Sequence, residues 1–476
     1  MTELQTPVNL DHHLSQTALR RKENIFKLFY RYHSIPGLTD ISGGLPHPSL
    51  FPVKELTSEA VATNFLFDPE AKNIVVSSNS DDLTSALQYG QATGQKQLHD
   101  WVTKFIDDHV SKPMYKGGFD HVATNGNTDG WNKVLQVLSN EWSENDPIEK
   151  RQSLLVEEFT YALSTETANV RGLNIVDVKM DRDGMIPENL RDILENWDPS
   201  KGKRPHLMYT ISIGQNPTGA TVPMERRKEI YKICSEFDII IVDDCPYWFM
   251  QYADQMEKCY LSVDTEGRVL RLDSFSKCFA PGCRLGWVVG QPSLIKRIYY
   301  HAEESTMHPS GYSQLMVYKV LEQWGCDGWM NWLENLTKEY KERRDLMITG
   351  LAPYNKIDGE LILDYSVPKA GMFVWIDVQF DKHPMKEKFS LVELSRAFWV
   401  FQTKEPHPTL ISPGYFYAPS PHAGDHTSSY FRLSFAPSTK TALENAGECM
   451  GRNTHEFWKL NEADIRKLVD EYPSDI

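Results

Sequence analysis

A lysine set among hydroxyls and followed by an arginine is the first place where this chain could do chemistry. Lys277 stands in SFSKCFAPGCR, residues 274–284, with Ser274 and Ser276 before it and Arg284 seven positions on. Hydroxyls with a guanidinium suit a phosphate, through charge-assisted and bidentate hydrogen bonds. A lysine amine beside them suits a carbonyl that forms an imine. A second group, Asp243-Asp244-Cys245-Pro246-Tyr247, follows the apolar run DIIIV. An acid placed there can pair with a cation such as a protonated ring nitrogen. No His/Glu helix pair or second acidic cluster adds further ligands, so no metal is expected at this place. A third, NGNTDGW at 125–131, puts a glycine-containing loop at a helix start, an anion site of free N–H groups and positive dipole end. The fourth, Asn216-Pro217-Thr218-Gly219, is a strong turn signal.

Taken singly, these are a surface lysine, a capped strand, a helix cap and a turn. Taken together, they ask for one ligand with a phosphate, a basic ring nitrogen and an aldehyde. Pyridoxal 5'-phosphate has all three, and a protein uses it as an electron sink. The rival nucleotide and hydrolase motifs GxGxxG, GxxxxGK[ST] and GxSxG are absent.

Such loops need a frame to bring them together. HVAT (121–124), SLLVEE (153–158), NIVDVKM (174–180), HLMYTI (206–211), DIIIVDD (238–244), RVLRLD (268–273) and LGWVVG (285–290) read as strands. Several are continuous β-branched runs, the pattern of strands buried on both faces. Helical patterns lie between them, among them GWNKVLQVLSNEW, PENLRDILENW and ERRKEIYKICSEF. This alternation implies an α/β fold, a mostly parallel central sheet covered by helices. In such sheets ligands bind beyond the carboxyl ends of the strands, where all four loops fall. After about Met330 a long charged helix leads into ELILDY, AGMFVWIDV and SYFRLSFA, which predicts a smaller α+β domain. The expected division is an N-terminal segment (1–60) joining the small domain, a large cofactor-binding domain (61–330) and a small C-terminal domain (331–476). Residues 14–35 read as a helix that ends before Pro36-Gly37.

Composition narrows the function classes. The 476 residues carry 50 Lys+Arg against 65 Asp+Glu, a formal charge of -15, the opposite of a nucleic-acid footprint. No run of about 18 apolar residues occurs, so no membrane-spanning helix is expected. Seven cysteines without CxxC spacing argue against an oxidised scaffold or a zinc ribbon. The N-terminus lacks a basic start with an apolar stretch, so the expected location is the reduced cytoplasm.

At this point the motifs match a family. From ISGGLPHPSLFP (41–52) to FRLSFA (431–436), the chain resembles fold-type I pyridoxal-phosphate aminotransferases. The likeness is greatest to the fungal aromatic amino acid and 2-aminoadipate/kynurenine group. It rests on ALQYGQATGQKQL, GQNPTG, DDCPYW, EGRVLRLDSFSKCFAPGCRLGW and AGMFVW in this order. The resemblance implies that Lys277 forms the imine with the cofactor. Asp244, three residues before Tyr247, pairs with the ring nitrogen, and Tyr247 and Asn216 bond the ring hydroxyl. Tyr161 resembles the aromatic that stacks on the ring. Gly126, Asn127, Thr128, Ser274, Ser276 and Arg284 would hold the phosphate. Tyr89 resembles the tyrosine that reaches the phosphate of the neighbouring subunit, which implies a homodimer with shared active sites. Arg432 matches the arginine that forks the substrate carboxylate, and Gly44 a backbone position near it.

Two departures stand out. Asn127-Thr128 replaces the Ser-Gln pair of the kynurenine-type relatives, and Cys245 stands where the fungal branch usually has an acid. The implied reaction is ping-pong transamination of Phe, Tyr or Trp through an imine on Lys277, with a 2-oxo acid such as 2-oxoglutarate as acceptor. Alternatives are 2-aminoadipate or kynurenine as donor, a C–S lyase on the same cofactor, or a non-catalytic sensor. Only about 40 residues precede the family-like region, too few for a sensor's DNA-binding module.

Overall fold

In a computed structural model, residues 4–24, 32, 35–38, 44–253, 255–419 and 425–473 are described. The seven apolar runs form seven strands: β1 (Asp120–Thr124), β2 (Ser153–Glu157), β3 (Asn174–Val178), β4 (Leu207–Thr210), β5 (Ile240–Asp244), β6 (Val269–Ser274) and β7 (Gly286–Gly290). They make one sheet in the order β1-β7-β6-β5-β4-β2-β3. Adjacent strands from β6 through β3 are parallel, and β7 runs antiparallel to both β6 and β1. Ile240, Ile241, Val242, Leu154, Leu155 and Val156 are fully buried, as strands covered on both faces require. The fold is the α/β architecture expected, with the carboxyl ends of β1, β2, β4, β5 and β6 at one edge.

Helices connect the strands. Between β1 and β2 lies α1 (Asn127–Leu138), which packs on β1, β6 and β7. Further on come α2 (Ala162–Val170), α3 (Pro187–Glu195) with proline in its first turn, and α4 (Met224–Glu236). A long helix, α5 (Gly311–Leu351), is broken at Gly325, where φ 65 and ψ 178 leave the helical region. Its first part and Trp329 and Leu333 pack in the core of the large sheet, whereas Met347 and Leu351 belong to a second core. The expected domain division at 330/331 therefore falls inside α5, because one helix serves both cores.

The second core belongs to a four-stranded antiparallel sheet, β8 (Leu363–Tyr365), β9 (Phe373–Val378), β10 (Ser412–Pro413) and β11 (Tyr430–Ser434), ordered β8-β9-β11-β10. In β9, Val374, Ile376 and Val378 are fully buried while Trp375 and Asp377 are less so, the alternation of a half-covered sheet. Phe380, Phe398, Phe431 and Phe457 fill the space beneath it.

The N-terminal segment differs from expectation in two ways. Among the described residues its helix spans Gln16–Arg20; Arg21 is extended and pairs with Glu304 at 2.6 Å. Residues 25–31 and 33–34 of the expected helix lie outside the described residues. Leu10, Leu14 and Ala18 pack into the core of the large sheet, not the small domain, and the Val8 N–H donates to the Glu266 carbonyl at 2.8 Å. Apolar spacing at 10, 14 and 18 therefore finds its partners on the large domain.

Candidate active site

The loops beyond the strand ends converge on a cavity of about 760 Å³ lined by the large sheet's loops, by α5 and by small-domain residues including Met372, Phe373 and Arg432. Parallel pairing places these loops together. The end of β1 delivers Asn127 and Thr128, β4 leads to Asn216, β5 ends at Asp244 before Tyr247, and β6 ends at Ser274 before Ser276 and Lys277. Arg284 enters just ahead of β7, and β11 contributes Arg432. With Tyr161, each of these lines the cavity. Gly126 lies immediately behind the wall at the cap of α1.

The Lys277 loop is held tightly. The Phe275 N–H donates to the Leu285 carbonyl (3.0 Å), which pinches its two ends together. Ser274 Oγ donates to Ser276 Oγ at 2.8 Å, so both hydroxyls sit side by side. Arg284 adopts a left-handed backbone (φ 47, ψ 49), and its Nη2 donates to the Asn125 carbonyl at 2.8 Å. That guanidinium lies against Gly126, where an added Cβ would stand 2.7 Å from Nη2. Gly126 also has φ +84, so glycine is required there twice over. No side chain caps α1, which leaves its first N–H groups facing the cavity edge beside Arg284 and the two serines. This is a cradle for an anion with several oxygens.

Burial at Lys277, followed by the charges of Arg284 and Arg432, lowers the pKa of its amine. A neutral amine is a nucleophile and a base. Asp244 ends β5 as a fully enclosed carboxylate, and burial pushes its pKa up to about 6 against the pull of its hydrogen bonds. Tyr209 Oη donates to its Oδ2 (2.6 Å) and Asn127 Nδ2 to its Oδ1 (2.5 Å). The side chain of Asn127 thus serves the carboxylate rather than the anion cradle, and only its backbone remains for the latter. Burial, then Asp244, keeps the Tyr247 phenol protonated well above neutrality, so it is a donor. Tyr161 is likewise raised by burial and then Asp244.

On the opposite wall, Arg432 Nη1 donates to Asn216 Oδ1 at 2.9 Å. Its guanidinium is layered between the rings of Phe373 (4.4 Å) and Tyr417 (4.8 Å). Its Nε is buried and has no protein partner among the described residues. A buried, unmatched guanidinium N–H is costly unless a ligand oxygen meets it, and a carboxylate fits the fork. The remaining wall is apolar: Leu163, Trp332, Leu336, Tyr340, Met372 and Phe373.

Two expected residues lie elsewhere. Tyr89 is 57% exposed and Gly44 is exposed with open space around it, and neither lines the cavity of its own chain. Cys245 is buried beside Arg271 and Asp243 and does not reach the pocket edge. The sequence reading missed Tyr209, whose only signal is a tyrosine in an otherwise apolar strand. It also missed Glu157, fully buried behind the Asn216 turn. Burial there raises its pKa to about 7 although Thr210 and Gln215 donate to it.

Residues 68–448 match the aminotransferase class I and II family. The chain belongs to the class I and II aminotransferases. An aromatic amino acid aminotransferase of Schizosaccharomyces pombe is 36% identical over 77% of this chain and 81% of its own. An L-tyrosine:2-oxoglutarate aminotransferase of Tapinella panuoides is 33% identical, over 79% and 75%. Among solved structures, an aminotransferase from Candida albicans superposes with a TM-score of 0.85 at 30% identity, over 96% of this chain and all of that one. Among the described residues no helix is long and apolar enough to cross a membrane.

Proposed function

We propose that this aminotransferase uses pyridoxal 5'-phosphate to move the amino group of aromatic L-amino acids to a 2-oxo acid such as 2-oxoglutarate, as a cytoplasmic homodimer. The observation that carries the reading is the Arg432 wall. A guanidinium with an unmatched Nε faces the same cavity as Lys277, whose amine burial makes easier to deprotonate, and much of the surface around them is apolar and aromatic. An α-carboxylate, an α-amine and an apolar side chain fit that division.

The residues present also fit the cofactor. The first N–H groups of α1, Gly126, Ser274, Ser276 and Arg284 would hold its phosphate, and Asp244 its ring nitrogen. Asn216 and Tyr247 would hold the ring hydroxyl, and Tyr161 one ring face. When bound, the cofactor supplies an electron sink for the charge left at the substrate Cα. Arg432 takes the substrate carboxylate in its fork and fixes which Cα bond faces Lys277. The Lys277 amine, its pKa lowered by burial and then by the Arg284 and Arg432 guanidinium groups, takes the Cα proton when in its neutral form and later returns one. Asp244, held by Tyr209 and Asn127, keeps a negative charge at one fixed point of the cavity. Tyr247 stays protonated and donates a hydrogen bond. Leu163, Trp332, Leu336 and Tyr340 exclude water from the side-chain end and favour a planar, apolar substituent.

Lys277→Ala tests the assignment. Turnover of L-phenylalanine with 2-oxoglutarate is expected to vanish, with the visible absorption band of the lysine-bound cofactor lost and the circular dichroism of the fold retained. Near-normal turnover in this variant would sink the reading. A wild-type enzyme that prefers 2-aminoadipate to phenylalanine in kcat/KM would keep the cofactor and overturn the aromatic donor.

A further inference from the structure

On the far side of the large domain from the strand-end loops, His12 and His13 of the N-terminal segment meet Asp238, in the short turn between α4 and β5. His12 Nε2 lies 2.5 Å from Asp238 Oδ2, and His13 Nε2 lies 3.2 Å from Oδ1. One ligand atom from each of the three comes within 4.8 Å of the other two. We infer that His12, His13 and Asp238 form a binding site for a divalent transition-metal ion of the zinc or cobalt type, which fastens the N-terminal segment to the large domain.

Several observations converge on it. His13 is only 4% exposed, yet its Nε2 makes no hydrogen bond among the described residues and points at the Asp238 carboxylate. Two imidazoles and a carboxylate are a donor set that suits zinc, cobalt or nickel over calcium or magnesium. Ligand nitrogens and oxygens around tetrahedral zinc stand about 3.3 Å apart, given bonds of about 2.0–2.1 Å. The His13 separation already meets that. The His12 ring, with a side chain 57% exposed, has freedom to open its shorter contact.

Other groups around the site permit the ion. Arg268 Nη1 reaches Asp238 Oδ1 at 3.3 Å, but the same arginine is paired with Glu266 at 2.6 Å. Two carboxylates against one guanidinium leave net negative charge beside the imidazoles. Arg268 then orients the carboxylate from behind, as outer partners of metal ligands do. His206 stacks on His13 at 5.5 Å and 14° and fixes its plane. Asp238 has φ 57, a left-handed conformation that Asp tolerates and that aims its side chain at the segment. An ion here would bridge residues 12–13 to the start of a central strand, next to the Leu10 and Leu14 anchors.

The test uses holoenzyme without a polyhistidine tag, stripped by chelator and titrated with Co²⁺ and then Zn²⁺. One Co²⁺ per chain is expected, with visible bands of nitrogen and oxygen ligation that Zn²⁺ displaces. Zn²⁺ should raise the Tm of the wild type and leave kcat unchanged. His12→Ala, at an exposed position, and Asp238→Asn, which keeps the left-handed preference, should each weaken Co²⁺ at least tenfold and abolish the Tm rise. Absence of micromolar Co²⁺ binding by the wild type would overturn the inference. So would equal binding by either variant, which would place the ion at another of the 15 histidines. Neither outcome touches the transaminase reading, because none of these residues lines the active cavity.

Discussion

Asp244 carries the sharpest consequence of a single environment. Its carboxyl is buried, which raises its pKa to about 6, and two donors, Tyr209 and Asn127, oppose that rise. The charge is therefore present above about pH 6 and is lost as pH falls through that value. In the cofactor-free protein, affinity for pyridoxal phosphate is expected to hold from pH 8 down to about 6.5 and then to weaken. A charge-assisted hydrogen bond is worth roughly 1.5–3 kcal/mol. Tyr209→Phe should thus move the midpoint up by about one to two pH units, since 1.36 kcal/mol is one unit. Binding titrations followed by absorbance at several pH values read both effects. A pH-independent wild type, or an unmoved midpoint in Tyr209→Phe, would refute the positioning role of Tyr209.

At the level of elements, the turn after β4 and the segment before β9 touch backbone to backbone. Gly214 has φ +61 and Gly371 φ +80, and a Cβ at Gly371 would stand 2.7 Å from the Gly214 carbonyl oxygen. The Gly371 N–H donates to the Met250 carbonyl (3.0 Å) and its carbonyl accepts from Tyr252 Oη, so this strand entry has no room to retreat. Gly371→Ala should cost about 2–4 kcal/mol in urea unfolding, from positive φ and overpacking together. A loss below about 0.5 kcal/mol would show that the junction yields. Sequence pattern revealed the seven large-sheet strands because most are short apolar runs buried on both faces, and even the half-buried edge strand β3 is rich in Ile and Val. It also singled out Lys277, Asn216 and Arg284, which line one cavity, because their loops carry local signals. Within the described part of the expected 14–35 helix, the chain leaves the helix at Arg21, where a tertiary ion pair with Glu304 competes with spacing that is locally helical. Tyr209 was invisible for a related reason. Its partner is 35 residues away on the neighbouring parallel strand, and only the β4–β5 register brings them together.

For the whole molecule, the pocket of one chain gathers Lys277, Asp244 and Arg432, but Tyr89 stays outside it with 57% of its surface open. If the phosphate cradle is completed by Tyr89 of a second copy, each active site draws on two chains and defects in different chains complement one another. Lys277→Ala lacks the amine but still offers Tyr89, and Tyr89→Ala does the reverse. Mixed dimers would then hold one site with both groups intact. Random exchange of equal amounts makes half of the dimers mixed, with one intact site of two, so about a quarter of all sites should recover. Refolding the two variants together and measuring phenylalanine turnover and cofactor affinity reads that fraction, with each variant refolded alone as baseline. Recovery near a quarter supports shared sites in a closed twofold dimer. Activity equal to the mean of the two baselines, in a sample that sedimentation shows to be dimeric, would mean that each chain completes its own site and that exposed Tyr89 serves no neighbour.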